Sequence, residues 1–344
     1  MNHLTPSQWM VTTHNLKKSY KRSGNDPIVA VKNLDIQIHK GEIFSLLGPN
    51  GAGKTTSISM MCGLLEPSEG DAVIGGHSIT KNPLQAKALL GIVPQEIALY
   101  ESLSARQNLE FFGKMQGKSG AELRKLVDSV LDFVDLTDRQ KDKVDTFSGG
   151  MKRRVNIAVG LLHRPQLIFM DEPTVGIDPQ NRRRVLDMVL RLRDEMQMTV
   201  LYTSHLMEEV QELSNRVAIM DHGEVIAIGT VGELIQRIGE EDRLIFDVGE
   251  AVISETVLNH LTSLDMAITS VNYEPKVPKT EEGTENNHLP QQGNIVVLAK
   301  RGRRALPHLL NKLNESNIEV QSVEIREPDL EAVFLSLTGR ALRD

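Results

Sequence analysis

The segment Gly48-Pro49-Asn50-Gly51-Ala52-Gly53-Lys54-Thr55-Thr56 has the spacing G-x-x-x-x-G-K-[ST]. Glycine at these points lets the backbone curl until its N–H groups face inward, which makes a cradle for phosphate oxygens. A helix following such a loop presents its positive N-terminus to the same anion. Lys54 is spaced to reach the β- and γ-phosphates of a nucleotide, and Thr55 to hold Mg2+. Farther on, Leu167-Ile168-Phe169-Met170 ends in Asp171-Glu172. A buried strand ending in acids puts them at the carboxyl edge of a sheet, where ligands of such sheets bind. Asp171 would help position Mg2+ there, and Glu172 would polarise an attacking water. An acid pair after an apolar strand is commonly just a solvated strand end; the phosphate loop upstream favours the hydrolytic reading.

These groups need a strand before the loop, a helix after it, and the acids on a neighbouring strand. Residues up to about Trp9 show no clear periodicity, and the chain reads as strands from Ile28. Leu34, Ile36 and Ile38 alternate with Asp35, Gln37 and His39, as in a half-buried strand. Lys40-Gly41-Glu42 turns the chain into the continuous apolar run Ile43 to Leu47, which leads into the phosphate loop. Residues about 97–165 read as a helical block, with Leu109, Phe112 and Met115, then Leu123, Leu126, Val127, Val130 and Leu131, at helical spacing. Strand–helix alternation returns with Leu167 to Met170, a helix over about Pro179 to Glu195, and Thr199 to Thr203. Val217 to Met220 then turns through Asp221-His222-Gly223 into Val225 to Ile228. This alternation predicts a mostly parallel sheet covered on both sides, with the helical block as an insertion.

A boundary is expected near Gly239-Glu240-Glu241-Asp242. Beyond it, Leu244 to Val248 and Ile295 to Ala299 read as strands, and the Pro-, Glu-, Asn- and Gln-rich stretch Glu274 to Gly293 as a flexible loop. Leu330, Val333, Phe334 and Leu337 share one helical face, between Pro328 and Gly339. The chain is thus read as a nucleotide-binding domain over 1–239, with a helical subdomain at about 97–165, and a small α+β accessory domain over 240–344.

The 344 residues are 40% hydrophobic and 25% charged, as in a globular chain. A net charge of −7 argues against a dedicated nucleic-acid binder. The clusters Lys152-Arg153-Arg154 and Arg182-Arg183-Arg184 read as solvated helix faces. The lone Cys62, among Met60, Met61 and Leu64, reads as a buried structural thiol and suits a reducing compartment. No basic-then-apolar leader opens the chain and no apolar run is long enough to cross a bilayer, so a membrane role would require a spanning partner.

Phe147-Ser148-Gly149-Gly150-Met151, ahead of the carboxylate strand, resembles the signature sequence of ATP-binding-cassette ATPases. Gln95 in Val93-Pro94-Gln95 resembles that family's glutamine loop, and Val175-Gly176-Ile177-Asp178 its aspartate loop. His205, closing Thr203-Ser204-His205, resembles the switch histidine, and Tyr20 the aromatic that stacks on adenine. The resemblance covers about residues 10–235, with the motifs in order. Phe147 and Met151 stand where Leu and Gln are usual, and the Ser-Gly-Gly core is intact. Similar variants occur in a subfamily of daunorubicin-resistance ATPases, whose tail the segment Glu327-Pro328-Asp329-Leu330-Glu331-Ala332-Val333-Phe334 also resembles.

The resemblance implies an α/β P-loop NTPase cassette with a helical subdomain insertion and a small C-terminal α+β accessory domain. It implies MgATP hydrolysis, with Lys54, Gln95, Glu172 and His205 catalytic and with Thr55, Gln95 and Asp171 around Mg2+. ATP contacts would come from Tyr20, from Gly48, Pro49, Asn50, Gly51, Ala52, Gly53, Lys54, Thr55 and Thr56, and from Ser148, Gly149, Gly150 and Asp178. The signature would complete the site of a second copy, sandwiching two ATP molecules in a homodimer. Integral-membrane permease subunits would be the other partner, at the cytoplasmic face of the membrane, with export as the direction and no nucleic-acid partner. Glu96-Ile97-Ala98-Leu99-Tyr100, just after Gln95, would either seat a permease helix or pack inside the helical block. A soluble repair or translation ATPase would carry a long coiled-coil insertion or a second cassette, and neither is present. A non-transport ATPase whose accessory domain recruits a soluble partner stays compatible with the sequence.

Overall fold

In a computed structural model, the first strand begins well before the sequence pattern suggests one. β1 (Trp9–Arg22) is 14 residues long and pairs with β2 (Asn25–Leu34) and β3 (Gln37–His39). Register shifts at Leu16/Lys18, Lys18/Ser19 and Tyr20/Arg22 interrupt its pairing with β2. Bulges of this kind break the two-residue period, which is why alternation is not legible there. The described residues are 8–22, 25–238, 241–249, 253–264, 268–275, 293–300 and 302–338. The chain divides into two compact units, residues 1–232 with 337–344, and residues 233–336.

In the first unit β4 (Ile43–Leu47) is buried throughout and runs into the phosphate loop and α1 (Lys54–Met61). β5 (Glu69–Ile74), β6 (His77–Ser78), α2 (Pro83–Ala88) and β7 (Leu90–Val93) follow. The helical block holds α3 (Ala105–Met115), α4 (Gly120–Phe133) and α5 (Gly149–Leu161). α3 starts on a capping box between Ser104 and Gln107. Met115, expected on its buried face, is 71% exposed. Then come β8 (Leu167–Asp171), α6 (Pro179–Asp194), β9 (Thr199–Ser204), α7 (Met207–Leu213), β10 (Arg216–Asp221) and β11 (Glu224–Gly229).

The sheet order is β6-β5-β1-β2-β11-β10-β4-β9-β8-β7, with β3 on β1. The run β10-β4-β9-β8-β7 is parallel. β10–β11, β1–β2, β1–β5 and β5–β6 are antiparallel. β11 also pairs in parallel with β2, through Glu224 and Asn33, so the expectation of a mostly parallel sheet holds for the β10-to-β7 half and for that one pair. The other half consists of hairpins and bulged strands, which strand–helix counting does not reveal.

Successive side chains on the parallel strands enter opposite cores, since the strand period is two. Ile168, Met170, Val200 and Tyr202 join α4, α5 and α6 in one core. Leu167, Phe169, Leu201, Phe44 and Leu46 join Met60 and Met61 of α1 in the other. Cys62 is 1% exposed, and burial raises its thiol pKa to about 11, in keeping with a structural role.

Past α8 (Val231–Ile238), the second unit runs β12 (Asp242–Asp247), α9 (Glu255–Thr262), β13 (Ile268–Pro275), β14 (Gly293–Ala299), α10 (Gly302–Glu315) and β15 (Ser322–Arg326). Its antiparallel sheet has the order β13-β14-β12-β15, a ferredoxin-like βαββαβ arrangement. Leu244, Phe246, Ile295 and Val297 pack with Leu261, Leu309 and Leu313. The sequence reading lacked β13 and β15. Of the expected flexible loop, residues 276–292 lie outside the described residues, as do Gly239 and Glu240 at the expected boundary and Gly339 after the last helix. That helix, α11 (Leu330–Thr338), buries Leu330, Val333 and Phe334, but Leu337 is 42% exposed, contrary to expectation.

Candidate active site

The phosphate loop is pinned between β2 and β10 by close backbone approach. A Cβ at Gly48 would lie 2.3 Å from the Met220 carbonyl oxygen. Gly53 has φ +103°, and a Cβ there would lie 2.7 Å from the Ala30 carbonyl oxygen. Glycine is required at both positions. Ala52 N–H donates to Pro49 O at 3.1 Å, Gly223 N–H to Ala52 O at 3.0 Å, and Lys32 N–H to Gly223 O at 2.9 Å, so the 221–223 turn holds the loop. Lys54 opens α1, is 5% exposed, and donates from Nζ to Gly48 O at 2.7 Å and Pro49 O at 3.2 Å. A cavity of about 270 Å³ is lined by Asn50, Gly51, Gly53, Lys54, Thr55 and Thr56 of the loop, and by Ala30, Gln95 and Glu172.

Strand register delivers the acids. β8 and β9 pair with Asp171 opposite Thr203. Thr203 Oγ1 donates to Asp171 Oδ1 at 2.6 Å and accepts from Glu172 N–H at 2.9 Å. Glu172 itself has φ +44°. A left-handed backbone at a non-glycine residue costs about 1–2 kcal/mol. It persists here with the Thr203 bond in place and turns the Glu172 side chain toward the loop lysine. Its Oε1 lies 3.3 Å from Lys54 Nζ. Its Oε2 lies 3.4 Å from His205 Nδ1 and 3.5 Å from Gln95 Nε2.

The other sequence-derived residues stand elsewhere. Ser148 caps α5, its hydroxyl accepting from Met151 N–H at 3.3 Å. A Cβ at Gly150 would come within 2.3 Å of Asn181, and Asn181 donates to both carboxylate oxygens of Asp178. These bonds lower the Asp178 pKa below the usual carboxylate value. Signature helix and aspartate loop are thus packed together, and Ser148, Gly149, Gly150 and Asp178 do not line the cavity. Tyr20 is 42% exposed on β1, with Lys18 Nζ 5.4 Å from its ring centre.

The basic cluster on α5 corrects the sequence reading. Arg153 and Arg154 are 3% and 4% exposed, so they are not a solvated face. Arg153 forks onto Pro94 O at 2.7 Å and Gln95 O at 2.6 Å. Arg154 holds Val134 O at 2.9 Å and Asp135 O at 3.2 Å. Burial lowers both guanidinium pKa values. Arg182, Arg183 and Arg184 keep solvent contact, as expected.

A family model described as "ABC transporter" matches residues 31–175, spanning the phosphate loop, glutamine loop, signature and carboxylate pair. The linearmycin resistance ATP-binding protein LnrL of Bacillus subtilis is 44% identical over 335 residues, covering 97% of this chain and 100% of its own. This chain belongs to the ABC transporter ATP-binding family. It binds ATP and hydrolyses it. The daunorubicin/doxorubicin resistance ATP-binding protein DrrA of Streptomyces peucetius is 35% identical over 315 residues, 92% of this chain and 89% of that one. Among solved structures, a dimeric post-hydrolysis state of the ATP-binding cassette MJ0796 bound to ADP and Pi aligns with a TM-score of 0.59 at 28% identity, covering 64% of this chain and 98% of that one.

In this ABC ATPase two supports of the site carried no motif signal. Thr203 is recognisable only once the β8–β9 register is known. Arg153 has one sequence clue: a helix as apolar as Val155, Ile157 and Ala158 make α5 cannot leave every basic residue in solvent.

Proposed function

We propose that the chain powers an exporter, two copies acting beneath separately encoded membrane permease subunits at the cytoplasmic face. The observation that carries this reading is the convergence of Lys54, His205 and Gln95 on the Glu172 carboxylate at 3.3, 3.4 and 3.5 Å. Lys54 and the loop N–H groups bind the β- and γ-phosphates, and Tyr20 stacks on adenine. Glu172 takes a proton from the water that attacks the γ-phosphorus, while His205 and Gln95 orient the water and the phosphate. The bond to the β–γ bridging oxygen breaks, and ADP and phosphate leave. Mg2+ would neutralise phosphate charge between Thr55, Gln95 and Asp171, the usual pattern of few protein oxygens with phosphates and water. Thr55 and Gln95 line the Lys54 cavity, which supports this donor set; Asp171 does not line it but stands one residue before Glu172, which does.

Ser148, Gly149, Gly150 and Asp178 lie off the chain's own cavity, which supports their service to the site of a second copy. The dimeric MJ0796 structures support the same assembly. Among the described residues no helix is long and apolar enough to cross a membrane, which supports a separate spanning partner. Its seat would be the surface after Gln95, where Ile97, Tyr100, Phe111 and Met115 are exposed while Leu99 packs inward. Residues 240–344 would form the accessory domain, a reading supported by the compact unit 233–336. Relatives named for linearmycin and daunorubicin/doxorubicin resistance favour a compound of that kind as cargo.

Purification in mild detergent tests the assembly, and cell-based extrusion of daunorubicin or linearmycin tests the coupling. The expected result is a complex with an integral-membrane protein and extrusion that is lost with Glu172→Gln. A chain that hydrolyses ATP yet neither holds a membrane subunit nor supports extrusion would overturn the transport reading.

A further inference from the structure

A second carboxylate, belonging to none of the motifs, is buried next to the segments that carry the first. Glu209 on α7 is 3% exposed. Its Oε2 accepts from three hydroxyls: Tyr202 Oη at 2.8 Å, Thr174 Oγ1 at 2.9 Å and Ser204 Oγ at 3.1 Å. Its Oε1 lies 3.6 Å from Arg182 Nε on α6. Tyr202 and Ser204 belong to β9, Thr174 to the segment after Glu172, and Arg182 to α6. Thr174 is two residues past Glu172, on the way to Asp178. Ser204 precedes His205, and its Oγ also accepts from Leu206 N–H at 2.9 Å, bracing the turn that carries the histidine. Arg182 N–H donates to Asp178 O at 2.9 Å. Burial, with Glu209 adding to it, raises the Tyr202 pKa well above its ordinary value, so the phenol keeps the proton it donates. A buried carboxylate is costly unless its lone pairs are filled. Here Oε2 takes hydroxyls from β9 and from the segment after Glu172, and Oε1 faces the Arg182 cation of α6, so holding Glu209 in place ties those three segments to one another.

We infer that Glu209 is a positioning residue for ATP hydrolysis: it locks the His205 turn to the segment that runs from Glu172 to Asp178. It thereby holds the His205 Nδ1–Glu172 Oε2 separation of 3.4 Å. The inference rests on the proposed roles of Glu172 and His205.

The test uses the full-length chain with Glu209→Ala, Glu209→Gln, His205→Ala and the Glu209→Ala/His205→Ala double variant. Glu209→Ala should lower kcat roughly 10- to 100-fold, on the scale that a misplacement of about 1 Å costs. Nucleotide affinity should stay within about twofold, because Lys54 is held by Gly48 O, Pro49 O and Glu172 and not by Glu209. Glu209→Gln should recover part of kcat, since its amide oxygen still accepts. In the His205→Ala background, Glu209→Ala should cost little more, the non-additivity expected of residues acting as one unit. Unchanged kcat, an equal loss of affinity and kcat, or an additive double variant would overturn the inference and leave Glu209 a fold-stabilising group. If Glu209→Ala does not fold, Thr174→Val and Tyr202→Phe decide. Each deletes one hydroxyl; lowered kcat at unchanged affinity supports the lock, and wild-type kcat in both overturns it. Full turnover in His205→Ala would instead remove the proposed role of His205, and the inference with it.

Discussion

Glu172 and Glu209 are two buried carboxylates, 6% and 3% exposed, held in opposite ways. The side-chain contacts of Glu172 are long, 3.3 to 3.5 Å, and come from a lysine, a histidine and an amide. Those of Glu209 include three hydroxyls at 2.8 to 3.1 Å. Charge-assisted hydrogen bonds are about 2.5–2.7 Å long from a hydroxyl and about 2.7–2.9 Å from a cationic N–H, so the hydroxyl contacts of Glu209 are ordinary in length and the contacts of Glu172 are long. The three hydroxyls all meet Glu209 Oε2, while among the described residues Oε1 faces only Arg182 Nε at 3.6 Å. Glu172 keeps unspent accepting capacity and sits on a strained backbone at the rim of a cavity. Three hydroxyl contacts tie Glu209 into the scaffold, whereas long contacts on a strained backbone suit Glu172 to its proposed role of taking a proton from water.

The sharpest way to break this contrast is to remove the cation that faces Glu172. Lys54→Ala should weaken ATP binding at least ~100-fold, or ~2.8 kcal/mol at ~1.4 kcal/mol per tenfold. Nucleotide titration checks it, and wild-type affinity with wild-type turnover would refute the phosphate-loop assignment. Glu172→Gln should keep ATP binding and lower kcat at least ~100-fold, the low end of general-base contributions. The amide keeps the shape but cannot accept the proton, so the variant should accumulate as an ATP-bound dimer in light scattering. Retained turnover would move the base elsewhere and leave the contrast without catalytic meaning.

How far the sequence carries depends on whether a role is local. The phosphate loop, Asp171-Glu172 and the buried strands beneath them were legible because spacing along the chain encodes them. Strand–helix alternation also located the parallel half of the sheet. It missed β1, whose bulges erase the pattern, and misjudged Met115, which sits at helical spacing yet faces solvent. The supports of the site were hidden for a physical reason. Thr203 meets Asp171 across a strand register, Arg153 meets Pro94 and Gln95 across 59 and 58 residues, and Glu209 gathers hydroxyls from two strand ends. Each is decided by tertiary contact, and only Arg153 has a sequence clue, the apolar character of its helix.

Arg153 offers a smaller test of the scaffold side. Arg153→Met keeps most of the apolar stem but leaves the carbonyls of Pro94 and Gln95 without their guanidinium donor, about 1–3 kcal/mol each where no water replaces it. Gln95 would lose its anchor to the signature helix, so kcat should fall roughly tenfold, within the range that small misplacements cost. Arg153→Lys supplies a charge without the fork and should recover only part. Steady-state ATPase assays on both variants check this; unchanged turnover would show that Gln95 is positioned without the fork.

The smallest effect on hydrolysis should come from a residue outside both carboxylate circuits. Tyr100 is 49% exposed and stacks edge-on against Phe111 with ring centres 4.8 Å apart. Its backbone is held independently: Tyr100 N–H donates to Asn108 Oδ1 at 2.8 Å, and Asn108 Nδ2 donates to Tyr100 O at 3.0 Å. Replacing the side chain should therefore leave the loop after Gln95 in place, and surface substitutions of this kind usually change stability by within about 0.5 kcal/mol. Tyr100→Ser should keep basal kcat within about twofold of wild type. If the exposed cluster is the permease seat, the same variant should lose extrusion in cells and any stimulation of hydrolysis by the membrane subunit. Basal assays on the purified chain and extrusion assays in cells separate the two effects. A large drop in basal kcat would tie Tyr100 to the scaffold around Gln95, and full extrusion would place the seat elsewhere on the helical block.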